Sequence, residues 1–229
     1  MRAAGSVAVK GLFITFEGTE GTGKSTQVRL LADHLRAAGR RMLVSREPGG
    51  TAFGRTLRGM LLDPAAANIA PWAELFLYLA DRAQHAREVI APALERGEWV
   101  ICDRFADATV AYQGFGRGLD AAFIRDASER AAIGLVPDLT LLLDFDDVSV
   151  GIDRARQRQQ GDGTAGVEDR FEHEDMAFHS RVRDGYRSLA AAEPGRIRVL
   201  PAGRPSEELH RLVLAEMARL PAARLASGG

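Results

Sequence analysis

One stretch near the start of the chain has the residue types and spacing of a phosphate-binding loop. Residues 18–25 read GTEGTGKS and fit the pattern G-x-x-x-x-G-K-[ST]. Glycines let the backbone approach phosphate oxygens, and the N–H groups at the start of the next helix bind the anion. In this pattern Lys24 reaches the outer phosphates and the Ser25 hydroxyl ligates Mg²⁺. The predicted ATP-binding residues are Gly18, Thr19, Glu20, Gly21, Thr22, Gly23, Lys24, Ser25 and Thr26.

The flanking sequence separates this prediction from a chance glycine-rich turn with an incidental lysine. The apolar run LFITFE precedes the loop and the helical pattern STQVRLLADHL follows it, which is the strand–loop–helix context that the motif requires. A second carboxylate, Asp103, ends the apolar run WVICD. Alone, Asp103 would be a strand-end partner of Arg104. Beside a phosphate-binding loop it is predicted to contact Mg²⁺, directly or through water.

Composition narrows the class of protein. The chain has 229 residues, of which 46% are apolar and 27% charged, as in a folded domain. Its 30 Lys and Arg against 31 Asp and Glu give a net charge of −1, without the positive excess that nucleic-acid or membrane-surface binders need. One cysteine, Cys102, and the lack of a signal-peptide pattern or a long apolar run predict a cytoplasmic protein.

Apolar runs and helical patterns alternate along the chain. The predicted strands are 12–17, 41–46, 98–103, 139–145 and 196–200, and the predicted helices are 27–38, 72–96, 121–133, 148–159, 169–192 and 206–220. This alternation predicts an α/β fold with a five-stranded parallel sheet covered by helices on both sides. We expect one domain, 1–229, with a core at about 11–220, a lid at about 150–172 around the loop QQGDGTAG, and a loose tail at 222–229. In such sheets ligands bind at the carboxyl ends of the strands.

The positive charge is nearly all arginine, since only Lys10 and Lys24 are lysines. Neither lysine follows an asparagine, so the guanine-reading motif Asn-Lys-x-Asp of GTPases is absent. Phosphoryl transfer between two nucleotides needs several fixed cations, and the planar guanidinium grips phosphate oxygens in pairs. A nucleotide kinase is therefore favoured. The arginines that follow predicted strand ends are Arg46, Arg58, Arg82, Arg104, Arg154, Arg156 and Arg158.

From about Leu12 to Leu220 the chain resembles bacterial thymidylate kinase (dTMP kinase) in an ordered series of blocks. They are FITFEGTEGTGKST (13–26), REPGGT (46–51), ELFLYLADRAQH (74–85), DRFADATVAYQG (103–114), PDLTLLLD (137–144), GIDRARQR (151–158), EDRFEHED (168–175) and FH (178–179). The resemblance implies the fold of P-loop nucleoside monophosphate kinases. It also implies a homodimer with contacts through helices such as 72–96, and ATP-dependent conversion of dTMP to dTDP for dTTP synthesis.

The resemblance also implies a binding site for dTMP. Glu20 takes the place of the acidic residue that meets the sugar 3′-hydroxyl, and Arg58 and Arg104 match arginines that hold the phosphate. Arg82 matches the arginine that reads a thymine carbonyl, and Tyr78 stands where the family usually has a stacking Phe. The turn after strand two contains Glu47–Pro48, whose isomer the sequence leaves open. The implied substrate-binding residues are Glu20, Arg46, Pro48, Arg58, Tyr78, Arg82, Arg104, Thr109, Tyr112 and Gln113.

The remaining predictions concern the reaction. The variable P-loop positions contain no arginine, and family members of that kind carry the catalytic arginine in the lid, which favours Arg154 with Arg158 and leaves Arg156 and Arg170 open. The predicted catalytic residues are thus Lys24, Asp103, Arg154 and Arg158, with Ser25 and Asp103 at Mg²⁺. Because the acceptor phosphate is already largely dianionic, no general base is required. A kinase for another nucleoside monophosphate, or a nucleotide-binding switch without transfer activity, remains an alternative.

Overall fold

Five parallel strands form one sheet in the computed structural model, which describes residues 11–63, 69–161 and 170–225, with the backbone alone at 158–161, 172, 223 and 224. The strands are β1 (Phe13–Glu17), β2 (Met42–Arg46), β3 (Trp99–Asp103), β4 (Leu139–Asp144) and β5 (Ile197–Pro201). Their order across the sheet is β2-β3-β1-β4-β5. The predicted α/β fold class and the five predicted strands are confirmed, with ends that differ by one residue.

Ten α-helices connect or flank the strands within the described ranges. They are α1 (Lys24–Ala37), α2 (Ala52–Leu62), α3 (Pro71–His85), α4 (Ala91–Glu95), α5 (Ala106–Thr109), α6 (Ala121–Ala131), α7 (Val148–Gly161), α8 (Met176–Ala192), α9 (Ser206–Ala218) and α10 (Ala222–Leu225). Two π-helical segments, Ala86–Ile90 and Val110–Gly116, and a 3₁₀ turn at Arg170–His173 complete the elements. No helix within these ranges is long and apolar enough to cross a membrane.

The predicted helix ends differ from the structure by several residues in places, and α2 was not among the predicted helices. Three further differences concern whole segments. The single helix expected at 72–96 is divided by the π-helical segment. The helix expected at 169–192 starts later, because Asp175 caps α8 by accepting a hydrogen bond from the backbone N–H of Phe178 at 2.6 Å. The expected loose tail begins with α10, whose Leu225 packs against the core, while residues 226–229 lie outside the described part. Residues 162–169, which include most of the predicted loop QQGDGTAG (159–166), also lie outside it.

Apolar side chains cover both faces of the sheet. On one face, Ile14 and Leu141 pack with residues of α1 and α9, such as Leu31. On the other face, Leu142 and other side chains of the sheet pack with α3, α6 and α8. These two layers hold the strand ends in fixed register.

The register brings chemically active residues together at the carboxyl edge of the sheet. Asp103 pairs with Arg46 of β2 on one side and with Phe16 of β1 on the other. Glu17, at the end of β1, is next to the glycine-rich loop that leads into α1. The loop therefore lies beside the end of β3, which carries Asp103, with Arg46 on the next strand of the sheet.

Candidate active site

The loop between β1 and α1 wraps around the side chain of its own lysine. The Nζ atom of Lys24 donates to the carbonyl oxygens of Gly18 at 2.9 Å and Thr19 at 2.6 Å, and to Oγ1 of Thr22 at 3.3 Å. Burial, and then the charge of Arg104, lowers the pKa of Lys24 from 10.5 to about 8. An ammonium bonded to the carbonyls of its own loop can exchange them for phosphate oxygens.

Two glycines allow this loop to touch the helix that leads into the predicted lid. Gly21 has φ +66°, and a Cβ atom there would lie 1.9 Å from the carbonyl oxygen of Gly151 in α7. A Cβ atom on Gly151 would lie 2.4 Å from the carbonyl oxygen of Glu20. The loop and α7 are therefore in contact backbone to backbone, and neither position has room for a side chain.

Ser25 and Asp103 meet at the foot of the loop, as predicted for a pair that approaches a metal ion. The Ser25 hydroxyl donates to Oδ2 of Asp103 at 2.9 Å. Hydroxyl and carboxylate oxygens suit Mg²⁺, which such sites hold largely through phosphate oxygens and water. Within the described ranges, no group of three or more His, Cys, Asp or Glu side chains could hold a metal. The pair offers a Mg²⁺ ion one hydroxyl and one carboxylate oxygen.

Two cavities open side by side along this edge. The first, which we call the phosphate groove, has a volume of about 780 Å³ and is lined by residues 20–26, Arg46, Glu47, Arg58, Asp103 and Arg104. The second, which we call the acceptor pocket, has a volume of about 500 Å³. The predicted substrate-binding residues that line it are Glu20, Pro48, Arg58, Tyr78, Arg82, Arg104, Thr109, Tyr112 and Gln113. Glu20, Glu47, Arg58 and Arg104 line both cavities.

Arg104 is fixed at the boundary between the two cavities. It follows β3 directly and has φ +69°, a left-handed conformation that is uncommon for a residue with a side chain. Its Nη1 donates to the hydroxyl of Tyr186 and its Nη2 to the hydroxyl of Tyr112, both at 3.0 Å. The guanidinium carbon lies 4.8 Å from the centre of the Tyr112 ring. A fixed cation therefore faces the place where the two cavities join.

Glu20 lies beside Arg104 and is held ionised. Its Oε1 accepts from the hydroxyl of Tyr112 at 2.5 Å and lies 3.4 Å from Nη2 of Arg104, while Oε2 faces Nδ1 of His179 at 3.4 Å. Burial alone would raise the pKa of Glu20, but His179, Arg104, Lys24 and Tyr112 outweigh it and lower the pKa to about 2. A buried carboxylate that stays ionised is a strong acceptor for a hydroxyl group.

A second carboxylate, Glu17, supports the loop that carries Arg104. Its Oε1 accepts from the backbone N–H of Phe105 and its Oε2 from the hydroxyl of Tyr186, both at 2.7 Å. Burial, and then the nearby charge of Asp107, raises the pKa of Glu17 from 4.5 to about 8. Glu17 thus links the end of β1 to the chain after β3 and to α8.

Arg82 is the most completely bonded arginine of the acceptor pocket, and its side chain is only 1% exposed. Its Nε donates to Oε2 of Glu47 at 3.0 Å. Its Nη2 donates to Oγ1 of Thr109 at 2.9 Å and to the carbonyl oxygen of Phe105 at 3.0 Å. Its Nη1 donates to Oγ of Ser128 at 3.2 Å. The guanidinium is therefore locked, with one edge on the pocket.

Glu47 is in turn held by a histidine that the sequence reasoning did not assign. Nδ1 of His85 lies 2.9 Å from Oε1 of Glu47, and Nε2 lies 2.7 Å from Oγ of Ser45. The imidazole is 0% exposed. The Glu47–Pro48 peptide bond, whose isomer the sequence left open, is cis. Ser45, His85, Glu47 and Arg82 thus form one buried chain of contacts from β2 to the acceptor pocket.

The orientation of the Gln113 amide follows from its partner. Its Nε2 donates to Oε1 of Glu74 at 2.8 Å, and the same carboxylate accepts from Arg170 at 2.6 Å and Arg117 at 3.2 Å. The carboxylate oxygens of Glu74 act as acceptors in all these contacts. Gln113 therefore presents its nitrogen to Glu74, which leaves its carbonyl oxygen for the pocket.

The same contact shows what Arg170 does in this structure. Arg170, one of the arginines left open for the lid, is buried, and its Nε donates to the carbonyl oxygen of Leu61 at 3.0 Å. Together with the bond to Glu74, this ties the 3₁₀ turn to α2 and α3. Arg170 therefore anchors the last part of the predicted lid range to α2 and α3.

The other predicted lid arginines lie away from both cavities where they are described. Arg154 is exposed, lies with its guanidinium carbon 5.0 Å from the centre of the Phe145 ring, and makes a long contact of 3.4 Å to the carbonyl oxygen of Ala202. Arg156 is exposed. The backbone of Arg158 belongs to α7, and its side chain lies outside the described part. Gly18 and Thr19 lie behind the groove, where their carbonyl oxygens hold Lys24.

Sequence reasoning missed several residues that support the site. Their common signal is a polar or charged side chain in an otherwise apolar strand end or helix face. Five of them lie inside blocks that carried the family resemblance, and only Tyr186 lies outside. The missed residues are Glu17, Glu47, Glu74, His85, His179 and Tyr186.

Comparison with known proteins identifies relatives of this chain. The sequence model described as "Thymidylate kinase" matches residues 16–213. The thymidylate kinase of Solidesulfovibrio magneticus is 56% identical over 191 residues, which cover 83% of this chain and 91% of the relative. That of Desulfovibrio desulfuricans is 52% identical over 198 residues, which cover 86% and 91%. The crystal structure of thymidylate kinase from Ehrlichia chaffeensis superposes with a TM-score of 0.72 at 32% identity and covers 91% of this chain and 98% of its own.

Proposed function

The chain belongs to the thymidylate kinase family, and from that premise we propose how its residues divide the reaction between them. The reaction is ATP-dependent phosphorylation of dTMP to dTDP. The observation that carries the proposal is the junction of the two cavities: Glu20, Arg58 and Arg104 line both the phosphate groove and the acceptor pocket. A phosphoryl group that crosses from one cavity to the other must pass these side chains.

ATP is proposed to bind with its phosphates in the phosphate groove. The N–H groups of the glycine-rich loop and the first turn of α1 face the groove, and Lys24 exchanges its carbonyl partners for β- and γ-phosphate oxygens. A Mg²⁺ ion bound to Ser25 and near Asp103 would neutralise negative charge on the phosphates while the γ-phosphoryl group is transferred. The distance of 2.9 Å between their oxygens supports this assignment, because one Mg²⁺ ion could contact the hydroxyl oxygen directly and the carboxylate directly or through water.

dTMP is proposed to bind in the acceptor pocket with its phosphate at the junction. Arg58 and Arg104 line the junction and supply positive charge for that phosphate. The ring of Tyr112 packs under the sugar, where it leaves no space for a ribose 2′-hydroxyl, and Glu20 accepts a hydrogen bond from the 3′-hydroxyl. These roles are those that the family resemblance implied, and the positions of the four side chains around the pocket support them.

Recognition of the base is proposed to depend on side chains that still have a hydrogen-bond donor or acceptor available for a ligand. The Thr109 hydroxyl accepts from Arg82 and keeps its own proton to donate. The Gln113 carbonyl oxygen can accept from a ring N–H, because Glu74 holds the amide nitrogen. The edge of Arg82 faces a carbonyl of the base, and Tyr78 stacks on the ring. Thymine, with one ring N–H between two carbonyls, fits this set.

The chemical step is an in-line transfer. An oxygen of the dTMP 5′-phosphate attacks the γ-phosphorus as the bond to the β,γ-bridging oxygen breaks, and ADP leaves. No side chain has to remove a proton, because the acceptor phosphate has a second pKa of about 6 and is largely dianionic at neutral pH. Lys24 and the fixed arginines stabilise the charge that develops, while closure over the nucleotides excludes water that would otherwise hydrolyse ATP.

Arg154 and Arg158 are proposed to be the catalytic arginine pair of the lid. Arg154 lies on α7, the helix that touches the phosphate-binding loop at Gly151, so a small rotation of α7 at that contact would carry the arginine toward the groove. Its two present contacts are weak, one of them a hydrogen bond of 3.4 Å. Both features support a residue that changes partners when ATP binds.

A direct assay tests the function. The purified chain is incubated with ATP, Mg²⁺ and each of dTMP, dUMP, dGMP, dCMP and UMP, and the products are separated by chromatography. We expect dTDP to form and dTMP to have the highest kcat/KM of the five. A higher kcat/KM for another acceptor would favour a different monophosphate kinase. Nucleotide binding without any transfer would favour a switch.

A second copy of the chain is the proposed partner of an exposed aromatic cluster at the start of α3. Trp72, Phe76 and Phe123 are 45%, 54% and 42% exposed, and the Trp72 ring lies 6.0 Å from Phe76 and 5.5 Å from Phe123. Large aromatic patches on a surface are typical of interfaces, and the resemblance implies a homodimer. Light scattering should show a dimer for the unmodified chain and a monomer for the double variant Trp72→Glu/Phe76→Glu. A monomeric unmodified chain at micromolar concentration would contradict the proposal.

A further inference from the structure

His179 is a buried imidazole that none of the roles above uses. It lies in the first turn of α8 and is 0% exposed. Within the described ranges neither of its ring nitrogens has a hydrogen-bond partner. A buried polar group without a partner costs about 1–3 kcal/mol, and such groups are few in native structures. The position therefore calls for an explanation in terms of what the ring faces.

The ring faces Glu20. Its Nδ1 lies 3.4 Å from Oε2 of Glu20, and that oxygen also has no hydrogen-bond partner in the part of the chain that the structure describes. The other oxygen of the carboxylate, Oε1, accepts from the hydroxyl of Tyr112 at 2.5 Å. A movement of about half an ångström would bring Nδ1 and Oε2 to ordinary hydrogen-bond distance. Glu20 would then be held at both oxygens.

A second contact of α8 repeats this arrangement two turns later. Tyr186 follows His179 by seven residues, so both side chains project from the same face of the helix. The Tyr186 hydroxyl donates to Oε2 of Glu17 at 2.7 Å and accepts from Arg104 at 3.0 Å. One face of α8 thus presents a hydrogen-bonding group to each of the two acids on the β1–loop segment.

We propose that His179 is a positioning residue that holds Oε2 of Glu20 and so orients the carboxylate toward the sugar 3′-hydroxyl of the acceptor nucleotide. The inference rests on the role proposed above for Glu20. Its consequence is specificity, because an acceptor that lacks the 3′-hydroxyl gains nothing from an oriented carboxylate. The nearby imidazole of His179 is also among the causes that lower the pKa of Glu20 to about 2, which keeps the carboxylate in its accepting form.

Two substitutions of His179 test whether the ring donates a hydrogen bond to Glu20 or only fills space. In His179→Asn the amide nitrogen can occupy the position of Nδ1, whereas in His179→Gln it reaches the position of Nε2 and leaves Oε2 of Glu20 without a donor. Each variant is assayed with ATP and either dTMP or 2′,3′-dideoxythymidine 5′-monophosphate, which lacks the 3′-hydroxyl. Thermal unfolding confirms that each protein is folded at the assay temperature.

We expect His179→Gln to lower kcat/KM for dTMP by about 10- to 100-fold, the range for a lost hydrogen bond to a charged group. The value for the dideoxy analogue should change by less than about threefold, so the preference for dTMP collapses. His179→Asn should retain most of that preference. His179→Leu, whose apolar side chain fills similar space but has no donor, should behave like His179→Gln if it folds.

Three results would overturn the inference. Equal losses of kcat/KM for dTMP and for the analogue in His179→Gln would mean that the ring only fills space. Equal behaviour of the Asn and Gln variants would mean that the position of the donor does not matter. An unmodified enzyme that does not prefer dTMP to the analogue would refute the role of Glu20 itself, and with it that of His179. The assay with five acceptors tests the proposed reaction independently of both.

Discussion

The acceptor pocket and the phosphate groove meet at Glu20 and Arg104, yet they are held in different ways. In the acceptor pocket, Arg82 makes four hydrogen bonds to other parts of the protein, and Gln113 is oriented by Glu74. In the groove, Lys24 is bonded to its own loop. On the lid side, Arg154 lies against Phe145, outside both cavities.

This difference indicates that one substrate binds to side chains that are already fixed, whereas the other binds to side chains that must change partners. The groups proposed to recognise the acceptor are pre-organised, so we expect dTMP binding to require little reordering of side chains. The groups proposed to contact the transferred phosphoryl, such as Lys24, must exchange their hydrogen-bond partners when ATP binds. Their final positions therefore depend on the presence of both substrates. A kinase benefits from this division because an incomplete groove cannot hydrolyse ATP efficiently in the absence of acceptor.

The largest effect is expected from Lys24→Met. It removes the charge that reaches the transferred phosphoryl, and kcat should fall about 10³-fold, as for the loss of one preorganised electrostatic group. Because the acceptor pocket is built separately, calorimetric titration should find dTMP affinity within about threefold of the unmodified value. Lys10→Met, which changes the other lysine, is the matched control. Full activity in Lys24→Met would contradict the role of the loop, and a large loss of dTMP affinity would break the comparison.

Two arginine-to-lysine variants compare the regions directly. Arg82→Lys leaves the buried oxygens of Glu47 and Thr109 with poorer donors and should lower the free energy of unfolding by about 3 kcal/mol. Arg154→Lys should change it by less than about 0.5 kcal/mol, because the side chain is exposed. Urea denaturation of both proteins, without nucleotides, measures the difference. Similar values for the two variants would show that the acceptor pocket is no more fixed than the lid helix.

Two helical glycines test the contact between the loop and α7. In Gly151→Ala the new Cβ atom would lie 2.4 Å from the carbonyl oxygen of Glu20, so the free energy of unfolding should fall by about 1–3 kcal/mol and KM for ATP should rise. Gly59→Ala, in α2, meets nothing within 4 Å and should stabilise the protein by up to about 1 kcal/mol. An unchanged KM for ATP in a destabilised Gly151→Ala would show that the contact does not govern the groove.

The smallest effect concerns pH. Because Lys24 has a pKa of about 8 in the free protein and phosphate oxygens favour its charged form, binding of ATP takes up a proton above that pH. ATP affinity should therefore be constant below pH 7 and fall by up to about tenfold for each unit above pH 8. Fluorescence titration from pH 6.5 to 9 measures this, and Lys24→Met should remove the dependence. A pH dependence that persists in Lys24→Met would assign it to another group.

Local patterns in the sequence were sufficient for the fold and for the outline of the site. Each strand of the sheet has a short apolar run, and the glycine-rich loop lies between a strand and a helix, so the phosphate-binding residues follow from spacing alone. The ordered blocks then identified the family and predicted which arginines line the acceptor pocket. The sequence was less informative about interruptions such as the π-helical segment Ala86–Ile90, because helical periodicity continues through it.

What the sequence by itself determined, then, is which residues stand at the carboxyl edge of the sheet. Only the tertiary structure decided what each of them touches. Arg82, Arg154 and Arg170 are alike in the sequence, yet the first is locked in the acceptor pocket, the second is exposed, and the third anchors the chain after the lid. Partners such as Tyr186 for Glu17, at 169 positions' separation, have no local signature. They exist because packing of helices against the sheet brings distant side chains into a space where every buried charge requires a partner.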